Sequence, residues 1–324
     1  MTDIAAIRDA ARRARGHIRR TPLLQDAAID RIAGRRVWIK AECLQVTGSF
    51  KARGGWAAVS ALGTEARARG VIAYSSGNHA QGVARAAAEL GVPALVLMPS
   101  DAARVKIARV RGFGAEVLLY DRATEDRDAL GAALAVERGL TLIPPYDDDE
   151  VIAGQGTTGL EIAEQAADQG IAGGDVLVCT GGGGLATGIA LALAAVAPGF
   201  RVRTAEPEGF DDVARSLAAG ERLANAAPTG SICDAILTPR PGAMTFPVLQ
   251  RLAGPGLAVS DEEALRAVAL AFSHLRIVLE PGGAVSLAAA LFRRDAIEGD
   301  AVIVVGSGGN VDPALFADTI TRFA

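Results

Sequence analysis

Lysine is nearly absent from this sequence: Lys and Arg together number 33, yet only positions 40, 51 and 106 are lysine. Arginine serves as a solvated charge as well or better. A retained lysine such as Lys51 therefore raises the question of an amine that must lose its proton and attack, which a guanidinium does not do. Aromatic residues make up only 4%, while half the chain is hydrophobic and much of that is alanine. The three cysteines, Cys43, Cys179 and Cys233, are too few and too scattered for a disulfide framework or a zinc knuckle. No sign of charge dominates: a net charge of −4 and a pI near 5.5 argue against a polyanion-binding surface. The one basic cluster, ARRARGHIRR at 11–20, reads as the solvated face of an amphipathic helix. The N-terminus offers no uninterrupted apolar stretch of the secretory type. The longest uncharged run, 176–200, could span a bilayer by length, but four consecutive glycines interrupt it, and a strand, a turn and a helix explain it better. These features lead to the expectation of a soluble, cytoplasmic protein with neither a nucleic-acid nor a membrane partner.

At 324 residues the chain should form two subdomains or one large α/β domain. Apolar runs at 71–76, 94–99, 116–121, 175–180, 201–207 and 301–307 read as strands, most ending in Gly or Ser or leading into helix-like segments. That alternation predicts an α/β fold of parallel sheets covered by helices on both faces. The sharpest compositional break, LIPPYDDDE at 142–150, is a candidate domain boundary. In such sheets ligands bind at the carboxyl ends of the strands, so the informative residues should follow the strands.

They do. CTGGGGLATG, 179–188, ends a strand, allows close backbone approach through its glycines, and opens a helix whose first amides are unpaired. This is the composition of a phosphate cradle, helped by roughly half a unit of positive charge at the helix N-terminus. A tight strand-to-helix turn would look the same. So would a dinucleotide fold, because Glu206 closes the next strand about 20 residues later, where a ribose-binding acid would sit. SSGNHAQG, 75–82, either caps a helix or offers amides and hydroxyls to an anion such as a carboxylate. His79 within it is a candidate base, though a histidine in a first helical turn commonly only packs. GSGGN, 306–310, follows the last strand. With the Lys51 segment GSFKARGG, all these loops could converge on one cleft.

TGSFKARG, SSGNHAQG, TGGGGLATG, EPGGAVSLAA and GSGGN, with RTPLL and TPRPGAMTF, occur in an order and spacing that resembles the pyridoxal-phosphate-dependent threonine/serine dehydratase and serine racemase family, over about residues 18–312. The resemblance implies fold type II (tryptophan synthase β-like), two open twisted, mainly parallel sheets flanked by helices. Residues 1–64 and 148–324 would form a large cofactor-binding domain and 65–147 a small mobile one. It implies that Lys51 bonds to the aldehyde of pyridoxal 5'-phosphate and, once released, serves as the α-proton base. Phe50 would pack against the pyridine ring and Asn78 would bond its 3-hydroxyl. Gly181, Gly182, Gly183, Gly184 and the Leu185 amide would hold the phosphate. Glu280 would lie at the cofactor, and Ser307 would face the ring nitrogen as a neutral partner, which suits β-elimination over transamination. Ser75, Ser76, Gly77, Asn78 and His79 would bind the substrate carboxylate, with Ser76 matching the acid/base on the opposite ring face in racemases. Glu206, Asp212 and the Phe210 carbonyl would hold Mg²⁺ or Ca²⁺, an oxygen-only set suited to a hard cation. A homodimer is implied.

Two departures stand out. Cys233 and Ala235 occupy positions where relatives often carry Ala and Gly, which would alter the pocket wall. The chain stops soon after GSGGNVD, so no appended regulatory domain, and no feedback inhibition through one, is expected. The leading expectation is an ammonia-lyase that eliminates water from L-threonine and L-serine. A 3-hydroxyaspartate dehydratase or a serine/aspartate racemase on the same scaffold is the alternative. A second substrate carboxylate would need an extra cation, for which Arg127 and Arg240 are candidates. An NAD-dependent dehydrogenase using Glu206, or a non-catalytic amino-acid-binding module, is more remote.

Overall fold

The computed structural model describes residues 2–324 except Ser76, Ala103 and Arg122. Its strands, in chain order, are β1 (Leu23–Leu24), β2 (Arg36–Lys40), β3 (Val71–Tyr74), β4 (Ala94–Pro99), β5 (Glu116–Tyr120), β6 (Thr141–Leu142), β7 (Gly174–Cys179), β8 (Phe200–Pro207), β9 (Leu257–Val259) and β10 (Ala301–Val305). They form a six-stranded sheet of order β1-β2-β10-β7-β8-β9 and a four-stranded sheet of order β5-β4-β3-β6. Every pairing is parallel except that of β1 with β2. The six expected strands are all present. β1, β2, β6 and β9 were not expected: three of them are only two or three residues long, and β2 carries a charge at each end.

Both faces of the larger sheet are buried, as the continuous apolar runs require. Val302 and Val304 of β10 face one core with the helix Pro281–Phe292, while Ala301, Ile303 and Val305 face the other with the helix Gly184–Val196. In the smaller sheet Val71 and Ala73 pack beneath the helices Lys51–Ala61 and Asn78–Leu90. Ile72, Leu95 and Leu97 face Leu134 of the helix Arg127–Arg138.

The helix carrying Lys51 is fixed by close backbone contact. A Cβ on Gly55 would lie 2.6 Å from the Gly82 carbonyl carbon, and one on Gly82 would lie 2.6 Å from the Lys51 carbonyl oxygen. Only glycine permits that crossing, and it sets the Lys51 backbone against the helix that begins at Asn78. Two residues after Lys51, Arg53 enters a buried charge cluster. It donates to both oxygens of Glu42 at 2.8 and 2.7 Å and to both oxygens of Glu161 at 2.7 and 2.8 Å. Lys40 donates to Glu161 at 2.5 Å, Gln165 at 2.9 Å and the Thr21 carbonyl at 2.7 Å. Two cations and two carboxylates thus neutralise each other where Lys40 and Glu42 are fully buried. Arg53 and Lys40 hold Glu42 below the usual carboxylate range despite its burial. All three cysteines are free and buried. Among the described residues no helix is long and apolar enough to cross a membrane.

Removing one partner of a buried pair strands the other charge. Arg53→Met should therefore cost about 3–5 kcal/mol in urea unfolding. Arg20→Met, at the exposed Arg20–Glu164 pair, should cost less than about 1 kcal/mol.

Candidate active site

The carboxyl ends of β3, β7 and β10 and the start of the Lys51 helix meet at one cavity. Lys51 is held there by its neighbours in the chain. Ser49 bridges Gly308 of the loop after β10, and the Phe50 amide donates to the Ser307 carbonyl at 3.1 Å. The Lys51 amine donates to the Pro145 carbonyl at 2.5 Å and lies 5.2 Å from the centre of the Phe50 ring. No carboxylate compensates it, and desolvation alone lowers its pKa to about 7. This amine spends much of its time neutral near pH 7, unlike one in water.

Opposite it lies the glycine loop. Gly181, Gly182, Gly183, Gly184 and Leu185 all line the cavity. Gly183 has φ +93°, open to glycine at little cost, and it precedes the helix whose first amides have no helical acceptor. Side chains leave no room here: a Cβ on Gly182 would run into the Tyr146 ring, and one on Gly181 would fall 2.9 Å from the Ile236 carbonyl oxygen. The loop is braced from outside, Thr245 Oγ1 and the Gly242 amide donating to the Gly182 carbonyl at 2.6 and 3.2 Å. Its remaining amides can converge on an anion.

The loop after β3 contributes Ser75, Gly77, Asn78 and His79 to the same cavity, while Ser76 lies outside the described residues. Ser75 Oγ accepts from the Gly77 amide at 3.1 Å. Asn78 donates from Nδ2 to Glu280 Oε1 at 2.6 Å. Glu280 is buried, and desolvation raises its pKa to about 7. His79 is buried with Nε2 2.8 Å from the Ile143 carbonyl, and burial together with the Lys51 charge depresses its pKa to about 3. It is a neutral packing group and a poor base. Ser307, buried at the end of β10, presents a hydroxyl in contact with the Cys179 thiol.

The candidate metal ligands are not brought to this cavity: Glu206, Phe210 and Asp212 lie together in a separate buried turn. Glu206 accepts from the amides of Val213 and Ala214 at 2.9 and 2.8 Å, so it faces the start of the helix Asp212–Ala219 and is not free to bind a ribose in the cleft. Asp212 Oδ1 accepts from Asn225 at 2.7 Å, whereas its Oδ2 is buried without a partner. Desolvation raises both acids, Glu206 well above its ordinary value and Asp212 to about 6. Among the described residues no group of three or more His, Cys, Asp or Glu side chains is arranged for a metal, so a cation here would rely on two carboxylates and backbone oxygens.

Arg127 lines the cavity, stacked 5.3 Å from the centre of the Tyr74 ring, and Arg240 does not. Lys106 lines it as well, 3.4 Å from Asp234, which with Ala235 forms part of the wall. Cys233 sits behind that wall in the core. Pro145, Tyr146, Tyr74 and Asp234 were not singled out from sequence. The first two fall in LIPPYDDDE, which stood out only as a compositional break, and Asp234 lies between the two divergent positions Cys233 and Ala235.

A family model described as "Pyridoxal-phosphate dependent enzyme" matches residues 14–308. The L-threo-3-hydroxyaspartate ammonia-lyase of Saccharomyces cerevisiae is 38% identical over 313 residues, 97% of this chain and 94% of that protein. Among solved structures, a threonine deaminase from T.th. superposes with a TM-score of 0.90 at 44% identity, covering 96% of this chain and 99% of that one. Maize serine racemase superposes with a TM-score of 0.91 at 34% identity, covering 99% and 97%. With its two parallel sheets, glycine loop and desolvated lysine, this chain belongs to the pyridoxal-phosphate-dependent enzymes, in the branch that includes the threonine/serine dehydratases and serine racemases.

Proposed function

We propose that the protein is a hydroxy-amino-acid ammonia-lyase that removes water from a β-hydroxy-α-amino acid and releases a 2-oxo acid and ammonia. The observation that carries this reading is the Lys51 amine, desolvated, without a counter-charge, and facing a loop of four glycines. The residues fit pyridoxal 5'-phosphate. The uncrowded amides at 181–185 would take its phosphate, the Lys51 amine its aldehyde, Asn78 its 3-oxygen, Ser307 its ring nitrogen, and Phe50 and Glu280 its flanks. When bound, this cofactor supplies the electron sink for the pair left by the departing α-proton.

The chain's own residues supply the rest. Lys51, with a pKa near 7, can take the α-proton on Nζ and give it up again near neutral pH. The amides and hydroxyl of the loop 75–79 orient the substrate carboxylate, and Ser76 is assigned to the opposite ring face. Ser307 offers the ring nitrogen a neutral hydroxyl and no anion, so it does not hold a proton there. Arg127 and Lys106 supply positive charge at the cavity wall. That pair supports a second reading of the substrate, a 3-hydroxyaspartate carrying an additional carboxylate, ahead of threonine and serine. We further assign Mg²⁺ or Ca²⁺ to Glu206, Asp212 and the Phe210 carbonyl, because two buried acids raised above their ordinary range would both be relieved by one hard cation. Residues 65–147 are assigned as a small domain that moves against 1–64 and 148–324. A homodimer is the proposed assembly, in keeping with exposed apolar side chains such as Leu44, Phe272 and Val278.

Lys51→Ala should abolish oxo-acid formation from threonine, serine and 3-hydroxyaspartate while leaving the unfolding midpoint nearly unchanged; turnover by this variant would end the reading. Only the neutral amine attacks an aldehyde, and burial has lowered its pKa. Cofactor capture by apoprotein should accordingly level off above pH 7 and fall by about tenfold per unit below it. Arg127→Met should lower kcat/KM for 3-hydroxyaspartate by about tenfold or more, the loss of a charge-assisted hydrogen bond, and change threonine turnover little. Accumulation of D-serine from L-serine would favour a racemase instead. Chelation should lower Tm, and Mg²⁺ or Ca²⁺ should restore it in the wild type but not in Asp212→Asn.

A further inference from the structure

Four side chains joined end to end by hydrogen bonds alternate across the cleft between the two sheets. Arg109, on the helix Arg104–Gly112 beside the four-stranded sheet, donates from Nη1 to Oδ1 of Asn310 at 3.1 Å. Asn310, in the loop after β10, donates from Nδ2 to Oδ1 of Asn78 at 2.7 Å and to the Thr47 carbonyl at 2.8 Å. Asn78, at the start of the helix after β3, donates to Glu280 at 2.6 Å. The same face of the Arg109 helix carries Lys106, three residues earlier, which reaches Asp234 on the far side of the cavity.

The direction of this chain matters. An amide side chain can present either its oxygen or its NH₂ to a neighbour, whereas a guanidinium can only donate. With Arg109 at its head, Asn310 turns its oxygen toward Arg109 and its NH₂ toward Asn78. Asn78 then turns its oxygen toward Asn310 and its NH₂ toward Glu280 and the cavity. The tail of the chain is not equally one-directional, because Glu280 titrates near neutrality and its protonated form can donate. The Thr47 carbonyl favours the same orientation of Asn310, but it belongs to the loop after β2, on the same side of the cleft as Asn310. Arg109 alone ties that orientation to the seating of the four-stranded sheet's helix. One hydrogen bond also strengthens the next in such a chain.

We propose that Arg109 is a positioning residue for the cofactor: through Asn310 it holds Asn78 with its second amide hydrogen directed at the cofactor's 3-oxygen, and it does so only when the helix Arg104–Gly112 lies against the loop after β10. The inference rests on the reading above, in which Lys51 carries pyridoxal phosphate. Arg109 itself is exposed, so its replacement spares the core.

The test uses the holoenzyme of the wild type, Arg109→Met and Arg109→Lys. It measures the ratio of the two absorbance bands given by the bound cofactor with its 3-oxygen ionised or protonated, and borohydride labelling of Lys51 is followed in each protein. Arg109→Met should shift the ratio toward the protonated form by about fivefold, as for the loss of one hydrogen bond. Arg109→Lys, whose ammonium is also donor-only, should move it back toward the wild-type value. A labelled Lys51 with an unchanged band ratio in Arg109→Met overturns the Arg109 inference alone, even if Tm falls. An unlabelled Lys51 in the wild type overturns both it and the functional reading.

Discussion

The position of Lys51 depends on a charge cluster that never reaches the cavity. Arg53, two residues further along, is clamped between Glu42 and Glu161, and Lys40 completes the neutral quartet from the edge of β2. Burying four charges is costly unless each is paired and bonded, and here each is. The arrangement joins β2, the segment after it, the Lys51 helix and the long helix Asp149–Asp168 at one point. Glycine crossings at Gly55, Gly82 and Gly154 then bring backbones together where side chains would separate them. The Lys51 amine inherits its place from these contacts, and none of them requires anything of the amine itself. It can therefore sit desolvated and without a counter-charge without loosening the helix that carries it.

Backbone groups form part of the cavity wall. The glycine loop, the Pro145 carbonyl and the loop after β3 all contribute backbone polar groups to it. Such groups keep their character across the whole pH range. The titrations that matter near neutrality are confined to Lys51 and Glu280, which share one cause, removal from water. Oriented dipoles bind anionic groups without adding a competing proton acceptor next to the Lys51 amine. Lys106 and Arg127 add positive charge to the cavity wall from helices beside the four-stranded sheet, and Asp234 stands against Lys106.

Much of this was legible in the sequence because it is local. A strand running into glycines and then a helix shows within ten residues as a candidate anion site, although a tight turn reads the same. The scarcity of lysine draws attention to Lys51 without separating it from Lys40, whose amine is tied up in an ion pair with Glu161. Six strands, β3, β4, β5, β7, β8 and β10, announced themselves as apolar runs. What was not legible depends on distant approach. Nothing about Pro145 or Tyr146 distinguishes them until the fold brings one carbonyl to Lys51 and one ring over Gly182. Arg127 and Arg240 were equal candidates in sequence, and only tertiary structure separates them. Glu206 lay at the right distance from the glycine loop for a ribose-binding acid, yet its carboxylate is turned toward two helix amides. Short β1, β6 and β9 contain too few residues to show a period at all.

The three thiols have a use that chemistry at the cleft does not reveal. Cys43, Cys179 and Cys233 are all buried, Cys179 at the cavity wall, and each is shifted by desolvation away from its nucleophilic thiolate, Cys43 to about 12. A folded molecule is thus nearly silent toward alkylating reagents at neutral pH, while an unfolded one offers three ordinary sulfhydryls. The chain carries an intrinsic label for opening events: the rate at which each sulfur becomes modified measures how often that particular stretch of the interior meets solvent.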